Sequence, residues 1–249
     1  MISRSDDYVE YCRETATNLK TLHDLALRGK GKEEVTAAIQ LRIVQEVGLG
    51  PSDDLVDIGC GDGTLLRIAM GQGVRSALGF LATNEEVALV QATGLDVRQA
   101  FTDQLMLPDA SASVVVCNNV LLVVPREKVP ASLREIHRIA KKGARIFIGE
   151  IPFVPGPPPE PHFNSSWQTL AYLYSKHGLR TCLGMARRMV YWKATGKPMM
   201  IRDGTQVSFY ASVEEFLAIA RSAGLIPVRQ WRHNDPDTRN NFLFTKNGN

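Results

Sequence analysis

The segment Asp57-Ile58-Gly59-Cys60-Gly61-Asp62-Gly63-Thr64 sets an acid two residues ahead of three alternating glycines. Glycines at 59 and 61 can take positive φ and let backbone N–H groups come close to a ligand, and glycine at 63 lets the following segment pack tightly. The apolar residues on either side, Leu55-Val56 and Leu65-Leu66, read as a strand running into a helix whose start faces the ligand. The chemistry expected here is ligand binding through main-chain donors. The spacing differs from the G-x-G-x-x-G of dinucleotide-binding turns. No histidine and carboxylate group has metal-ligand spacing. The four cysteines (Cys12, Cys60, Cys117, Cys182) contain no C-x-x-C pair, so neither a metal nor a disulfide framework is expected.

Such a turn works only if a sheet holds it. Short runs rich in Val, Ile and Leu predict strands near 54–58, 75–81, 96–101, 113–118, 144–151, 225–232 and 241–246, with helices between them. Apolar runs of this kind belong to a sheet covered on both faces, and the amphipathic stretches supply the crossovers. Ser212-Val213-Glu214-Glu215-Phe216 starts a capped helix ending at Gly224. The turn signal Asn234-Asp235-Pro236-Asp237 then sends Asn241–Lys246 back antiparallel. The expected fold is α/β, a doubly wound seven-stranded sheet, mostly parallel with an antiparallel last strand, plus a helical lid insertion. Its parts are an N-terminal helical segment (1–32), a ligand-binding core (33–151 and 208–249) and the lid (152–207).

With 249 residues, 44% of them hydrophobic, the chain can bury a substantial core as one α/β unit. Met1–Asp7 lacks a basic-then-apolar signal pattern. The longest apolar run, Val114–Val124, is broken by two asparagines and is too short to span a bilayer. A cytoplasmic protein with reduced thiols is expected.

The D-x-G-x-G-x-G pattern resembles the first motif of the class I S-adenosylmethionine-dependent methyltransferases. The resemblance extends through Ala77–Val87 (second strand and helix start), Leu105–Val116 (entry to the fourth strand), Asn118-Asn119-Val120-Leu121 at that strand's end, and Leu133–Glu150. In the last of these, Lys141-Lys142-Gly143 matches the basic residues and glycine that end the family's helix. The resemblance implies S-adenosylmethionine as cofactor, with its amino-acid end at Asp57 and the turn. It assigns cofactor contacts to Asp57, Gly59, Cys60, Gly61, Leu81, Ala82, Thr102 and Asn118.

The departures from that pattern are specific. Where the family ends its second strand in an acid for the ribose hydroxyls, this chain has Leu81, with Thr83 and Asn84 near enough to compensate. A carboxylate accepting a hydroxyl bond is worth on the order of 1.5–3 kcal/mol, so its loss would weaken a conventional pose tenfold or more. Phe101, followed by Thr102 and Asp103, stands where relatives carry an acid for the adenine amino group. Ser113 replaces a common aspartate, and Leu122-Val123 a polar pair.

The insertion opens with Pro152, Pro155, Pro157, Pro158, Pro159 and Pro161, a stiff extended run, and two helices are expected near 165–177 and 179–194. Residues 151–210 hold seven Lys and Arg against two acids, a net +5, while the rest of the chain has 22 against 24, or −2. A solvated helix face accounts for these charges. So does an anionic acceptor, and so does docking on a membrane surface or a lipid-linked substrate, since Leu183, Met185, Met189, Val190, Tyr191 and Trp192 interleave with Arg187, Arg188 and Lys193. A nucleic-acid partner is not expected, because the overall balance is mildly basic and no recognition motif is present.

A sulfonium methyl group is already electrophilic, so in-line placement supplies much of the acceleration, and a base is needed only for poorly ionised hydroxyls. The candidates are His162 and His177 in the insertion, Asn119 and Glu150 at strand ends, and Tyr210 before the last helix. His137 reads as packing. The expected function is methyl transfer to a small acceptor, anionic or amphiphilic. The alternative is a protein of this fold that has lost methylation and is a different enzyme or a ligand-binding or regulatory module.

Overall fold

The structure is a computed structural model that describes residues 33–153, 210–232 and 239–247. In the flanking segments it describes single positions: Val9, Cys12, Arg13, Ala16, Thr17, Leu22, His23 and Leu25, then Tyr174, Leu179, Leu183, Ala186, Arg187, Val190 and Ala194. Helix α1 (Glu33–Val47) leads into β1 (Asp54–Ile58), α2 (Thr64–Gly71), β2 (Ser76–Leu81), α3 (Asn84–Gln91), β3 (Val97–Gln99) and β4 (Ala112–Asn118). A 3-10 turn then precedes α4 (Val129–Ile139), β5 (Ala140–Pro152), α5 (Val213–Ser222), β6 (Leu225–Arg232) and β7 (Arg239–Lys246). The seven strands lie in the order β3-β2-β1-β4-β5-β7-β6, parallel except for β7, which runs antiparallel to both neighbours.

Period-two alternation explains why the strands read as continuous apolar runs. Val56 and Ile58 of β1, Val115 and Cys117 of β4, and Ile146 and Ile148 of β5 join the core layer under α4 and α5. Their neighbours Leu55, Val114, Val116 and Phe147 join the opposite layer with residues of α1 and α2. The helix caps follow the sequence signals. Thr83 Oγ1 accepts from Glu86 N at the start of α3, Ser212 Oγ accepts from Glu215 N at the start of α5, and Gly224 closes α5 with φ 88°.

One boundary differs from expectation. Helix α4 ends at Ile139, not at Lys141-Lys142-Gly143, and β5 already begins at Ala140. The carbonyls of Arg138 and Ile139 accept from Ala110 N (2.9 Å) and Ser111 N (2.8 Å), so the last turn is satisfied from outside the helix. The pairing then jumps from Ala112↔Ala140 to Val114↔Arg145, and Gly143 with φ 71° absorbs the bulge. Lys141 thereby reaches Asp54 on β1.

Ser113 belongs to this amino-terminal edge of the sheet. Its hydroxyl donates to Asp53 Oδ1 (2.8 Å) and accepts from Asp54 N (2.9 Å), bracing β4 against β1. His137 packs against Gly224, whose missing Cβ would come within 2.8 Å of the imidazole, so it too is a packing residue. Among the described residues, no helix is long and apolar enough to cross a membrane.

Candidate active site

Strand β1 ends at Ile58, and the chain turns through Gly59 (φ 75°), Gly61 (φ 57°) and Gly63 (φ 77°) into α2. Such angles cost a Cβ-bearing residue about 1–3 kcal/mol each. Gly59 N and Cys60 N both donate to Phe80 O, at 2.8 and 3.2 Å, which pins the turn to β2. A Cβ on Gly59 would overlap Val120 Cγ2, and one on Gly63 would overlap Leu95 Cδ1. Gly63 therefore serves packing against the segment before β3. Asp62 is buried, and its Oδ1 accepts from Thr64 N (2.9 Å), capping α2 in place of the Gly63 N-cap.

Asp57 sits beneath this turn with 4% of its surface exposed. Burial, then the neighbouring Asp62 carboxylate, pushes its pKa up to about 7. An acid held in this way gains a partner when a cationic group enters the turn. Cys60 is buried against Gly79, whose Cβ would approach Sγ within 2.6 Å, and its thiol is pushed up by burial, then by Asp57, Glu86 and Asp62. Its backbone, not its thiol, is at the turn.

The residues that the resemblance assigns to the nucleoside stand at and after the ends of β2 and β3. Leu81 is buried in the core layer shared with Cys60 and Val87. Ala82 O accepts from Gln99 Nε2 (3.1 Å). Thr83, expected as a compensating group, is committed to the α3 cap, donating to Glu86 Oε2 (3.0 Å) as well as accepting from Glu86 N. Phe101 is exposed and bridges Gln104, while the Thr102 hydroxyl pairs with Ser132 Oγ of α4 (2.7 Å).

The candidates for contact with an acceptor stand at or next to the ends of β4 and β5. Asn119 and Glu150 both take left-handed backbone, φ 59° and 65°, and Asn119 N donates to Gly149 O (3.2 Å), which places the two strained residues side by side. Glu150 stands at a β5–β7 bulge, where its N–H donates to Asn241 Oδ1 (3.0 Å) and its Oε2 accepts from Arg239 (3.0 Å). The side chain of Asn118 lies over Gly149, so close that a Cβ there would overlap its Oδ1. Backbone of this kind persists where surrounding structure over-determines it, commonly at functional edges.

Tyr210 does not stand over the site as an open hydroxyl. It is fully buried against Phe216 and Phe153, with centroids 5.1 and 6.2 Å away, and burial pushes its pKa up to about 12. His162 and His177 lie outside the described residues.

Sequence reasoning missed two features. His23 Nδ1 of the N-terminal segment lies 3.2 Å from Asp62 Oδ2, and Arg13 pairs with Glu85 (3.0 Å), so this segment reaches both the β1 turn and the start of α3. No local pattern announces a contact between residues 39 or 72 positions apart. Glu86 is buried, and the signal for its position was the T-x-x-E spacing from Thr83.

Residues 56–148 match the Methyltransferase domain family. That match and the seven-stranded sheet give the chain the class I S-adenosylmethionine-dependent methyltransferase fold. The malonyl-[acyl-carrier protein] O-methyltransferase of Serratia marcescens is 28% identical over 129 residues, 50% of each chain, so this chain spans about half the length of that curated relative. Among solved structures, the 1,6-didemethyltoxoflavin-N1-methyltransferase of Burkholderia thailandensis, with 1,6-didemethyltoxoflavin and S-adenosylhomocysteine bound, has a TM-score of 0.63. It is 15% identical and the match covers 100% of this chain and 92% of that one. An S-adenosylmethionine-dependent methyltransferase of Methanosarcina mazei scores 0.57 at 15% identity over 82% and 97%. The [4+2]-cyclase SpnF scores 0.55 at 16% identity over 90% and 71%. At these identities the methyltransferase domain shares its fold with all three.

Proposed function

We propose that the protein transfers the methyl group of S-adenosylmethionine to a small anionic or amphiphilic acceptor held at the carboxyl ends of β4 and β5. The observation that carries this reading is the turn itself, three left-handed glycines between a buried acid and a helix start. Asp57 and the turn would hold the amino-acid end of the cofactor, and Ala82, Thr102 and Asn118 would border its nucleoside and methyl. The cofactor supplies an already electrophilic methyl, so this chain's residues act by placement. Asn119 and Glu150 orient the acceptor, and His162 or His177 would take a proton from an acceptor hydroxyl.

The segment 152–207 is read as the lid over that acceptor. Its +5 charge favours an anion, and the malonyl group named for the Serratia relative is of that kind. Leu179, Leu183 and Val190 are exposed at helical spacing beside exposed Arg187, which suits an amphiphilic or lipid-linked acceptor. The test is formation of S-adenosylhomocysteine from S-adenosylmethionine with a panel of anionic and amphiphilic acceptors. Turnover dependent on an acceptor supports the reading. Cofactor binding with no turnover for any acceptor favours the second reading, a ligand-binding or differently catalytic protein of this fold. Leu81 at the ribose position is the observation behind that second reading, and a [4+2]-cyclase of the same fold is a precedent.

A further inference from the structure

Helix α1 packs Ile43, Val44 and Val47 into the core layer that also holds Leu55 of β1, Val114 and Val116 of β4 and Phe147 of β5, with Ile39 against it. Its last turn is fixed at the amino-terminal edge of the sheet, since the carbonyls of Val47 and Gly48 accept from Arg145, which also pairs with Asp53 just before β1. At a rise of about 1.5 Å per residue, Thr36 stands about 16 Å back along the helix from Val47, while β1 rises about 13 Å from Asp54 to Ile58. Thr36 and Gln40 thus come level with the carboxyl ends of the strands. They extend the buried stripe of Ile43, Val44 and Val47, which turns from apolar to polar as it reaches the edge where ligands of such sheets bind. Thr36 is 3% exposed, and neither its Oγ1 nor the enclosed Gln40 Oε1 has a hydrogen-bond partner among the described residues. Two orphaned polar atoms one turn apart on one helix face point to a shared partner from outside the chain. Asn118 enters the same layer, because a Cβ on Gly149 would overlap both Asn118 Oδ1 and the Phe147 ring.

We propose that Thr36 and Gln40 of α1, with Asn118 of β4, form a subsite for a hydroxyl or amino group of the methyl acceptor. Gln40 Oε1 and Asn118 Oδ1 accept hydrogen bonds and the threonine hydroxyl can do either, so the set selects a ligand group that donates. A group without a donor at the same place would leave these oxygens unpaired. The inference deepens the proposed function and rests on it: Asn118 would border the cofactor methyl in that reading, which puts the donor-bearing group of the acceptor beside the methyl it receives.

The probes are para-hydroxybenzoate, para-aminobenzoate and benzoate, which share an anion and an apolar body and differ in the donor. Each is titrated calorimetrically into the protein saturated with S-adenosylhomocysteine, unmodified and carrying Thr36→Val with Gln40→Met, changes that keep side-chain volume and remove the orphaned oxygens. Affinity for S-adenosylhomocysteine itself and thermal midpoints are recorded alongside. The expected result is a preference of about tenfold for the hydroxyl and amino probes over benzoate in the unmodified protein. The variant should lose that preference, with S-adenosylhomocysteine affinity unchanged and the midpoint unchanged or raised, since no internal hydrogen bond is removed. No preference in the unmodified protein, or the same preference in the variant, overturns the assignment and leaves the two side chains as packing residues of α1. A fall in S-adenosylhomocysteine affinity in the variant also overturns it, because the pair then belongs to the cofactor pocket. If the double variant does not fold, Thr36→Val and Gln40→Met are compared singly by the same readings. Failure of the unmodified protein to bind S-adenosylhomocysteine at all would overturn the proposed function together with this inference.

Discussion

Asp57 is the residue at which burial and the proposed cofactor role are most directly coupled. Its pKa is raised to about 7 in the folded protein from 3.8, so the folded state holds a proton that the unfolded state has lost between those values. Stability contributed by this group therefore falls as pH rises from about 4 to 7, by on the order of a few kcal/mol. Asp57→Asn should flatten that part of the pH–stability curve, read from denaturant midpoints at pH 4.5 and 7.5. Cofactor binding has the matching sign. The proposed pairing with the cofactor's ammonium would ionise Asp57, so binding at pH 6 should release close to one proton and at pH 8 almost none. Calorimetric enthalpies that vary with buffer ionisation at pH 6 but not at pH 8 are expected, and equal proton release at both would argue against Asp57 as the partner. Tyr210→Phe removes a buried hydroxyl that has no hydrogen-bond partner among the described residues and should be neutral or stabilising by up to about 1 kcal/mol, measured by thermal unfolding.

The glycine turn, the segment after β4 and the end of β5 form one packed edge. Val120 occupies the volume a side chain on Gly59 would need, so the β4 loop and the turn are fitted to each other. Gly59→Ala should cost about 1–3 kcal/mol. Combining it with Val120→Ala should return the steric share and leave the backbone share, since φ stays positive. A double-mutant cycle in urea with no coupling would refute that fit. The turn was legible in the sequence because glycines at alternate positions after an apolar strand have few other uses. The bulges were not. Nothing local marks Glu150 as left-handed, because its conformation is imposed by Asn241 and the β5–β7 register. The early end of α4 is likewise set by Ala110 and Ser111, whose N–H groups take its last carbonyls from across the loop before β4.

At the scale of the whole chain, charge is unevenly distributed, with +5 in residues 151–210 and −2 in the rest. The seven strands and the antiparallel β7 were readable from strand runs, the capped α5 and the turn signal before β7, because each is marked by local pattern; the order in which the strands lie is set by long-range pairing. The contacts of His23 and Arg13 across the site were not, since they depend on how the N-terminal segment docks. The positive excess of the insertion predicts a division of labour. Replacing Arg187 and Arg188 with glutamine should raise the apparent dissociation constant of an acceptor identified by turnover and flatten its salt dependence, with S-adenosylhomocysteine affinity nearly unchanged. A parallel fall in both affinities would make the insertion part of the cofactor pocket.

The account stands on the turn between Asp57 and Thr64. Its most direct test is calorimetric titration of S-adenosylhomocysteine into the unmodified protein and into Gly61→Val, with circular dichroism to confirm that the variant is folded. Valine is strained at φ 57° and blocks close approach of the backbone to a ligand. The account predicts one-to-one binding by the unmodified protein and none by the folded variant; binding of equal affinity in both would contradict it.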